Sequence, residues 1–185
     1  APGATAMHLI GEFNNWDRTS HPMKAVGDGN WEIMIPGVRT LRHRSKVKVA
    51  VTSARGTEDR IPLYATYVVQ DEKTHNFSAA IWNPRKEFAW TDGKFRPKKN
   101  VPPLIYEAHV GMATEEERVG TYLEFMRDVL PRIKKDGYNT VQLMAVMEHP
   151  YYASFGYQVS NFFAASSWYG TPDDLKALIN EAHAM

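Results

Sequence analysis

The sequence predicts an antiparallel β-sandwich over residues 1–98, followed by parallel βα units over residues 99–185. In the first half, short runs of alternating apolar and polar residues are separated by turn residues about every ten positions, which is typical of antiparallel sandwiches. In the second half, two apolar runs enclose a segment whose apolar residues recur at helical spacing, as in a strand–helix–strand unit. The two halves are therefore predicted to be separate domains.

Alternation with a period of two predicts the strands of the first half. Residues 47–51 alternate valine with lysine or alanine, the pattern of a half-buried strand. In the run that begins at Trp31, isoleucine alternates with polar or flexible residues, which places Trp31 in the core. The Gly-Asp-Gly-Asn sequence at 27–30 is a turn signal just before that run. The predicted strands cover residues 8–10, 31–35, 47–51, 65–69 and 76–82.

Helical spacing and capping residues predict the elements of the second half. Residues 104–110 and 140–144 are apolar runs that we expect to be buried strands. A helical stripe lies between them, and Pro131 within it predicts a break or a new helix start. In the last helix, Thr171 is the predicted N-cap, and its apolar face is predicted from spacing. The stripe consists of Tyr122, Met126, Val129 and Ile133, and the last helix would bury Leu175, Leu178, Ile179 and Ala182.

Composition excludes several classes of function. The formal net charge of +1 gives no preference for nucleic acid or for an anionic membrane, so neither is expected as a partner. No apolar run is long enough to span a membrane, and the N-terminus does not resemble a signal peptide. The chain has no cysteine, which excludes disulfides and thiolate metal sites, and its histidines show no metal-ligand spacing. We therefore expect no metal or other cofactor, and a cytoplasmic location.

Four segments resemble one enzyme family. Residues 143–158, Leu-Met-Ala-Val-Met-Glu-His-Pro-Tyr-Tyr-Ala-Ser-Phe-Gly-Tyr-Gln, resemble the second barrel strand and following loop of 1,4-α-glucan branching enzymes of the α-amylase superfamily, in their eukaryotic-type subgroup. Residues 105–111 and 161–175 resemble neighbouring parts of the same barrel, except that Trp168 stands where the family pattern usually has arginine. Residues 9–16, Leu-Ile-Gly-Glu-Phe-Asn-Asn-Trp, resemble the carbohydrate-binding module that precedes that barrel.

The resemblance implies a fold and an activity. The fold is a β-sandwich carbohydrate-binding module, immunoglobulin-like in topology, followed by the first βα units of a TIM (β/α)8 barrel. The activity is cleavage of α-1,4 links and transfer of the chain to a 6-hydroxyl, by a retaining double displacement, with glycogen, amylose or starch chains as partners. The family's catalytic carboxylates lie on later strands, beyond Met185. We therefore expect this chain to be an N-terminal fragment that is inactive alone.

Two alternatives to this activity remain open. A non-catalytic glucan-binding protein would use only the sandwich, but would have no need of the segments that resemble barrel strands. A debranching hydrolase of the same superfamily would share the fold. The sequence of residues 147–149 and 154–158 favours branching.

Six residues are candidates for contact with substrate. The resemblance implies that Tyr157 stacks on the sugar at the cleavage subsite, with Gln158 and His149 in the same loop. Residue type alone favours an ordered loop aromatic for Tyr157, and the motif reverses this preference; for His149 and Gln158 we favour a role in bracing the loop. In the sandwich, the resemblance implies that Trp16 stacks on glucan, although an edge-of-core tryptophan is an even alternative. Arg18 and Glu32 are candidates for hydroxyl contacts nearby, or simply solvated charges.

Overall fold

Eleven strands, three α-helices, three short 3-10 helices and one π-helical turn make up the regular structure of the described residues, 1–37 and 39–185, in the computed structural model. The chain divides into two units, Ala1–Arg85 and Lys86–Met185. The strands are β1 Ala6–Gly11, β2 Lys24–Gly27, β3 Asn30–Glu32, β4 Lys46–Ser53, β5 Gly56–Arg60, β6 Val68–Gln70, β7 Phe77–Ala80, β8 Ile105–His109, β9 Thr140–Met144, β10 Met147–Glu148 and β11 Asn161–Ala165. The helices are α1 Tyr122–Glu124, α2 Leu130–Lys135 and α3 Pro172–Ala184.

The first unit is built on a five-stranded antiparallel sheet. Its order is β1-β4-β7-β6, and β5 also pairs with β4. Along β4, Val47 and Val49 are buried in the core, whereas Lys46 and Lys48 alternate with them and face the opposite side. The β2–β3 hairpin and the segment after it contribute Trp31, which packs against this core as predicted. The antiparallel, two-layered arrangement agrees with the sequence prediction.

The first unit differs from the sequence prediction in several details, and strand β2, Lys24–Gly27, was not predicted. The strand predicted over 31–35 ends at Glu32, although Ile33 and Ile35 still pack against the core. Strand β5, Gly56–Arg60, was not predicted, because its sequence Gly-Thr-Glu-Asp-Arg is polar and all five residues are exposed. Such a strand forms by pairing its backbone with β4, and this leaves no hydrophobic alternation to detect.

The second unit contains a parallel strand pair. Strands β8 and β9 run parallel, from Ile105 opposite Thr140 to His109 opposite Met144. Both were predicted as buried strands, but Ile105 is 49% exposed. Among the described residues, this sheet has only these two strands, so each has an edge without a neighbour. The prediction of strands was therefore right, and the prediction of burial was wrong.

The helix between β8 and β9 changes its pitch where the sequence predicted an interruption. Helix α1 continues through a wider π-helical turn over Phe125–Val129, where the Leu130 N–H donates to the Phe125 carbonyl, and then into α2. Pro131 occupies the start of α2, where a missing N–H costs least. Helix α3 begins at the predicted N-cap, Thr171, whose side chain and that of Asp174 cap each other's backbone N–H groups.

The boundary between the units lies earlier than the predicted one between residues 98 and 99. Residues 86–98 belong with the second unit because they pack along α3. Thr91 exchanges two hydrogen bonds of 2.8 Å with Asn180, and Asp92 lies 2.7 Å from Nδ1 of His183. Contacts of Thr91 and Asp92 therefore attach this segment to α3. No helix among residues 1–37 and 39–185 has the length and apolarity that a membrane crossing requires.

Candidate functional site

The carboxyl ends of the parallel strands carry the loop that the sequence singled out. His109 ends β8, and residues 145–160 follow β9 and include the β10 strand. In parallel βα folds, ligand-binding loops lie at this end of the sheet. Three sets of contacts fix the loop in place, and each comes from a different part of the second unit.

Gly156 brings the middle of the loop into direct contact with the end of β9. It is buried, and a Cβ at this position would lie 2.3 Å from the Cβ of Ala145. Its φ of +83° also lies in the left-handed region that favours glycine. The close approach therefore requires glycine, and it fixes the positions of the residues on either side, Phe155 and Tyr157.

His109 holds the same loop from the end of β8. Its Nε2 lies 3.1 Å from the carbonyl oxygen of Phe155 and 3.2 Å from the hydroxyl of Tyr169. Because a carbonyl only accepts, Nε2 carries the proton and donates. The ring of Tyr169 is fully buried, so this imidazole connects the loop to the core of the unit.

Glu148 fastens the base of the loop to the turn that follows β11. Its side chain is fully buried, and its carboxylate accepts hydrogen bonds from the N–H and the hydroxyl of Ser167. Its backbone carbonyl accepts two more from Ser160, at the other end of the loop. Burial raises the pKa of Glu148 to about 7, and the hydrogen bonds from Ser167 only partly oppose this shift.

His149 is buried beneath Trp168. Its Nδ1 donates to the carbonyl of Met147 at 3.0 Å, and its own carbonyl accepts the indole N–H of Trp168 at 2.8 Å. The two rings are nearly parallel, with centroids 6.4 Å apart. His149 therefore has the environment of a brace, the role that residue type favoured, and not that of an exposed substrate contact.

Tyr157 and Gln158 project from the loop that these contacts hold. Tyr157 is 73% exposed, and its backbone N–H donates to the carbonyl of Ser154. Gln158 is also exposed. An exposed aromatic ring on a fixed loop can stack on the apolar face of a pyranose at little entropic cost, because the backbone is already ordered.

A second candidate site is an open groove in the first unit, with a volume of about 340 Å³. Trp16 lies on one side, and the loop between β6 and β7 lies on the other. The floor comes from β4 and β7 through Lys46, Lys48 and Ser78, on the face opposite the core. The full lining is Glu12, Trp16, Lys46, Lys48, Asp71, Thr74, Asn76 and Ser78.

The turn before Trp16 explains why the side chain lies in the groove. Asn14 accepts the N–H of Gly11 through Oδ1 at 2.9 Å, and its amide donates to the carbonyl of Leu9. Asn15 and Trp16 both have positive φ, 52° and 61°, which turns the chain out of β1. The half-buried indole thus lies at the edge of the sheet and not within the core.

Arg18 and Glu32, the other two candidates of the first half, do not line this groove. Arg18 forms a two-pronged ion pair with Asp59, with contacts of 2.9 and 2.7 Å. Glu32 is exposed on β3, opposite Lys24. The structure therefore brings neither of them to Trp16.

Several groove residues escaped the sequence prediction. Lys46, Asp71, Thr74 and Asn76 come from two segments that are distant in sequence from Trp16. Their polar side chains resemble any others on a surface, and only the pairing of β4 with β7 brings them together. Asp71, Thr74 and Asn76 are residue types common in turns, and such turns carry no functional meaning alone.

No cluster of three or more histidine, aspartate or glutamate side chains suited to a metal ion occurs in the part of the chain that the structure describes.

Comparison with known sequences finds similarity to 1,4-alpha-glucan-branching enzymes over the whole chain. The profile of the family Carbohydrate-binding module 48 (Isoamylase N-terminal domain) matches residues 1–65. The 1,4-alpha-glucan-branching enzyme of Rhizophagus irregularis is 51% identical over 190 residues, covering 100% of this chain and 28% of that protein. That of Dictyostelium discoideum is 46% identical, with the same coverage of both chains. The 1,4-alpha-glucan-branching enzyme 2-2, chloroplastic/amyloplastic, of Arabidopsis thaliana is 46% identical, and 24% of it is covered.

Solved structures share the fold at lower sequence identity. The pullulanase from Bacillus acidopullulyticus superposes with a TM-score of 0.74 at 21% identity, covering 100% of this chain and 26% of that one. The pullulanase type I from Bacillus subtilis, complexed with maltose, gives a TM-score of 0.71 at 21% identity, with 29% of that chain covered. The resemblance to branching enzymes is therefore confirmed, and this chain spans about a quarter of the length of such relatives.

Proposed function

We propose that this chain is the N-terminal part of a 1,4-α-glucan branching enzyme. The first unit would be its glucan-binding module, and the second would supply the first βα units of a TIM (β/α)8 barrel. Identity of about 50% over the whole chain to enzymes of that name supports the proposal. The observation that carries it is the exposed Tyr157 ring on a loop fixed at the carboxyl ends of two parallel strands, where barrel enzymes bind their substrates.

The residues of this chain would bind and orient the glucan. In the proposed reaction, a carboxylate displaces the leaving chain to form a glycosyl-enzyme, and the 6-hydroxyl of a second chain then displaces the carboxylate. We assign neither the nucleophile nor the acid/base to any residue between Ala1 and Met185. Tyr157 would stack on a glucosyl ring, and Gln158 would donate to its hydroxyls. Glu148 and His149 would act only through the loop that they brace.

Tyr157 can be tested in the protein that carries this chain as its N-terminal part. Tyr157→Phe keeps the ring and should retain most branching of amylose, whereas Tyr157→Ala should lose at least about ten-fold in activity. Tyr151→Ala is the matched control, because Tyr151 lies in the same loop and is 60% exposed. Equal losses in Tyr157→Ala and Tyr151→Ala would contradict the proposal. Release of linear chains from a branched glucan, with no new α-1,6 links, would identify a debranching hydrolase instead.

The groove can be tested in this chain alone, by titration with maltoheptaose. Wild type should bind, and Trp16→Ala should weaken binding about ten-fold or more, because stacking on one indole dominates such weak surface sites. Retention of binding in Trp16→Ala would exclude the groove as the glucan site. Incubation of the same chain with amylose should produce no branches. A cytoplasmic location stays a prediction.

A further inference from the structure

A single lysine lies between the two sides of the groove in the first unit. Lys46 begins β4, and its backbone N–H donates to Oε2 of Glu12 at 3.0 Å. Its ammonium group lies 3.0 Å from Oδ2 of Asp71. Glu12 belongs to the turn that leads into Trp16, and Asp71 begins the opposite loop. One residue therefore contacts both sides of the groove.

Asp71 organises the loop on its side of the groove. One carboxylate oxygen, Oδ1, accepts the N–H groups of Lys73 and Thr74 and the hydroxyl of Thr74, at 3.0 to 3.2 Å. Its backbone N–H donates to the carbonyl of Asn76. The N–H of Thr74 and the ammonium of Lys46 hold the pKa of Asp71 far below its usual range. Only Oδ2 is directed to Lys46, so the loop and the ion pair use different oxygens of one carboxylate.

We propose that the Lys46–Asp71 ion pair sets the width of the groove and so positions Trp16 and the loop at 71–76 for a glucan chain. The inference rests on the proposed glucan binding by this groove. Lys46 acts as a positioning residue, because its ammonium is committed to Asp71 and not to the sugar. The side chains of the pair are only 32% and 36% exposed, which limits but does not abolish screening by salt.

If an ion pair positions an uncharged ligand, the affinity for that ligand should depend on salt concentration. Maltoheptaose carries no charge, so direct contacts to it should depend little on ionic strength. Because salt weakens partly exposed ion pairs, wild-type affinity should fall as NaCl rises, through loss of the Lys46–Asp71 contact. A partly exposed ion pair contributes little free energy, so the expected loss of affinity for maltoheptaose is about two- to five-fold.

Three variants distinguish a positioning role of the Lys46 ammonium from an effect on folding. Lys46→Met keeps the backbone contact to Glu12 and the aliphatic stem, but removes the charge. It should bind maltoheptaose about two- to five-fold more weakly than wild type, with no further loss at high salt. Lys46→Arg retains an ion pair and should restore both affinity and salt response. Asp71→Asn keeps an oxygen for the Thr74 turn and should behave like Lys46→Met.

A distance measurement tests the inference without sugar. The chain has no cysteine, so Thr19→Cys and Glu72→Cys give two unique attachment sites for spin labels, one in the segment after Trp16 and one in the loop at 71–76. The distribution of label distances should be narrow in the otherwise wild-type chain and broader or longer with Lys46→Met. An unchanged distribution, or a salt response that persists in Lys46→Met, would overturn the inference. If the distribution changes but Trp16→Ala still binds maltoheptaose, the groove is positioned by Lys46 but is not the glucan site.

Discussion

The buried carboxylate of Glu148 accepts hydrogen bonds from both the backbone N–H and the hydroxyl of Ser167, at 2.6 and 3.1 Å. This contact joins β10 to the turn after β11, and the loop that carries Tyr157 lies between these two strands. Two donors stabilise the ionised form, but burial outweighs them and leaves the pKa near 7. The carboxyl group of Glu148 therefore titrates close to neutrality.

Stability of the second unit should decrease as pH rises from about 4.5 to about 7. The ordinary pKa of Glu148 is 4.5, and that of the folded chain is about 7. Between these values the folded chain retains a proton that the unfolded chain has lost, so the contribution of Glu148 is complete below pH 4.5 and is lost as pH rises through 7. The pKa difference corresponds to about 3 kcal/mol in the free energy of unfolding. Urea unfolding at pH 5 and pH 8 measures it.

Glu148→Gln isolates this contribution. Its amide oxygen can still accept the N–H of Ser167, but the side chain does not titrate. The pH 5-to-8 decrease should be smaller in the variant than in wild type by about 2.5 kcal/mol, because part of the total change falls below pH 5. Identical pH dependence in the two proteins would show that Glu148 is not protonated in the folded chain below neutrality.

Gly156→Ala should destabilise the chain more than an alanine at another left-handed glycine. Gly137 is the matched control, because its φ of +90° resembles the +83° of Gly156, yet a Cβ there would meet nothing within 4 Å. Both substitutions incur the left-handed penalty of about 1 kcal/mol. Only Gly156→Ala also forces a Cβ against Ala145, which should cost about 1–3 kcal/mol more. Thermal unfolding of the two variants compares them, and equal losses would mean that the loop is not held against β9.

Periodicity predicted the elements with strong patterns and missed those without. The alternation at 47–51 located β4, and Thr171 located the start of α3, because local chemistry decides both. Strand β5 has no apolar residue, and pairing with a neighbour determines it. The contacts that place Thr91 and Asp92 on α3 depend on Asn180 and His183, far along the chain, so the local sequence did not predict them.

The sequence could identify a candidate residue when the side chain alone suggests its role, but it could not predict the surroundings of that side chain. Tyr157 is exposed on its loop, as a residue that stacks on a ligand must be. The environment of His149 was not predictable, since Trp168 covers it from a distant turn. Arg18 was a candidate for hydroxyl contacts near Trp16 because the two are close in sequence, but the β4–β5 hairpin supplies Asp59 as its partner.

Arg18→Ala and Glu32→Ala should leave maltoheptaose binding by the first unit nearly unchanged. Neither residue lines the groove, and Arg18 is occupied by Asp59. Substitutions outside a site usually alter its affinity by no more than about two-fold. Isothermal titration of both variants beside Trp16→Ala tests this expectation. A loss with Arg18→Ala as large as that with Trp16→Ala would move the glucan contact from the groove toward β5.

The edge of β8 should make this chain self-associate. Leu104 and Ile105 are 54% and 49% exposed, and in the described residues β8 has a strand neighbour only on the β9 side. Unpaired edges with apolar side chains pair with other copies. Sedimentation over a range of concentrations should show reversible association. Amide exchange in β8 should slow as concentration rises.

Ile105→Lys should weaken this association by about three- to ten-fold, because burying the exposed half of one isoleucine contributes about 0.7–1.5 kcal/mol and each 1.4 kcal/mol is a factor of ten. Val26→Lys is the matched control, since Val26 is also 49% exposed but lies in the first unit. Because both side chains are half exposed, neither lysine should unfold the chain. If Val26→Lys dissociates the protein and Ile105→Lys does not, the contact lies on the first unit. A monomer with uniformly high amide-exchange protection across residues 104–185 would show that the edge of β8 does not pair with other copies.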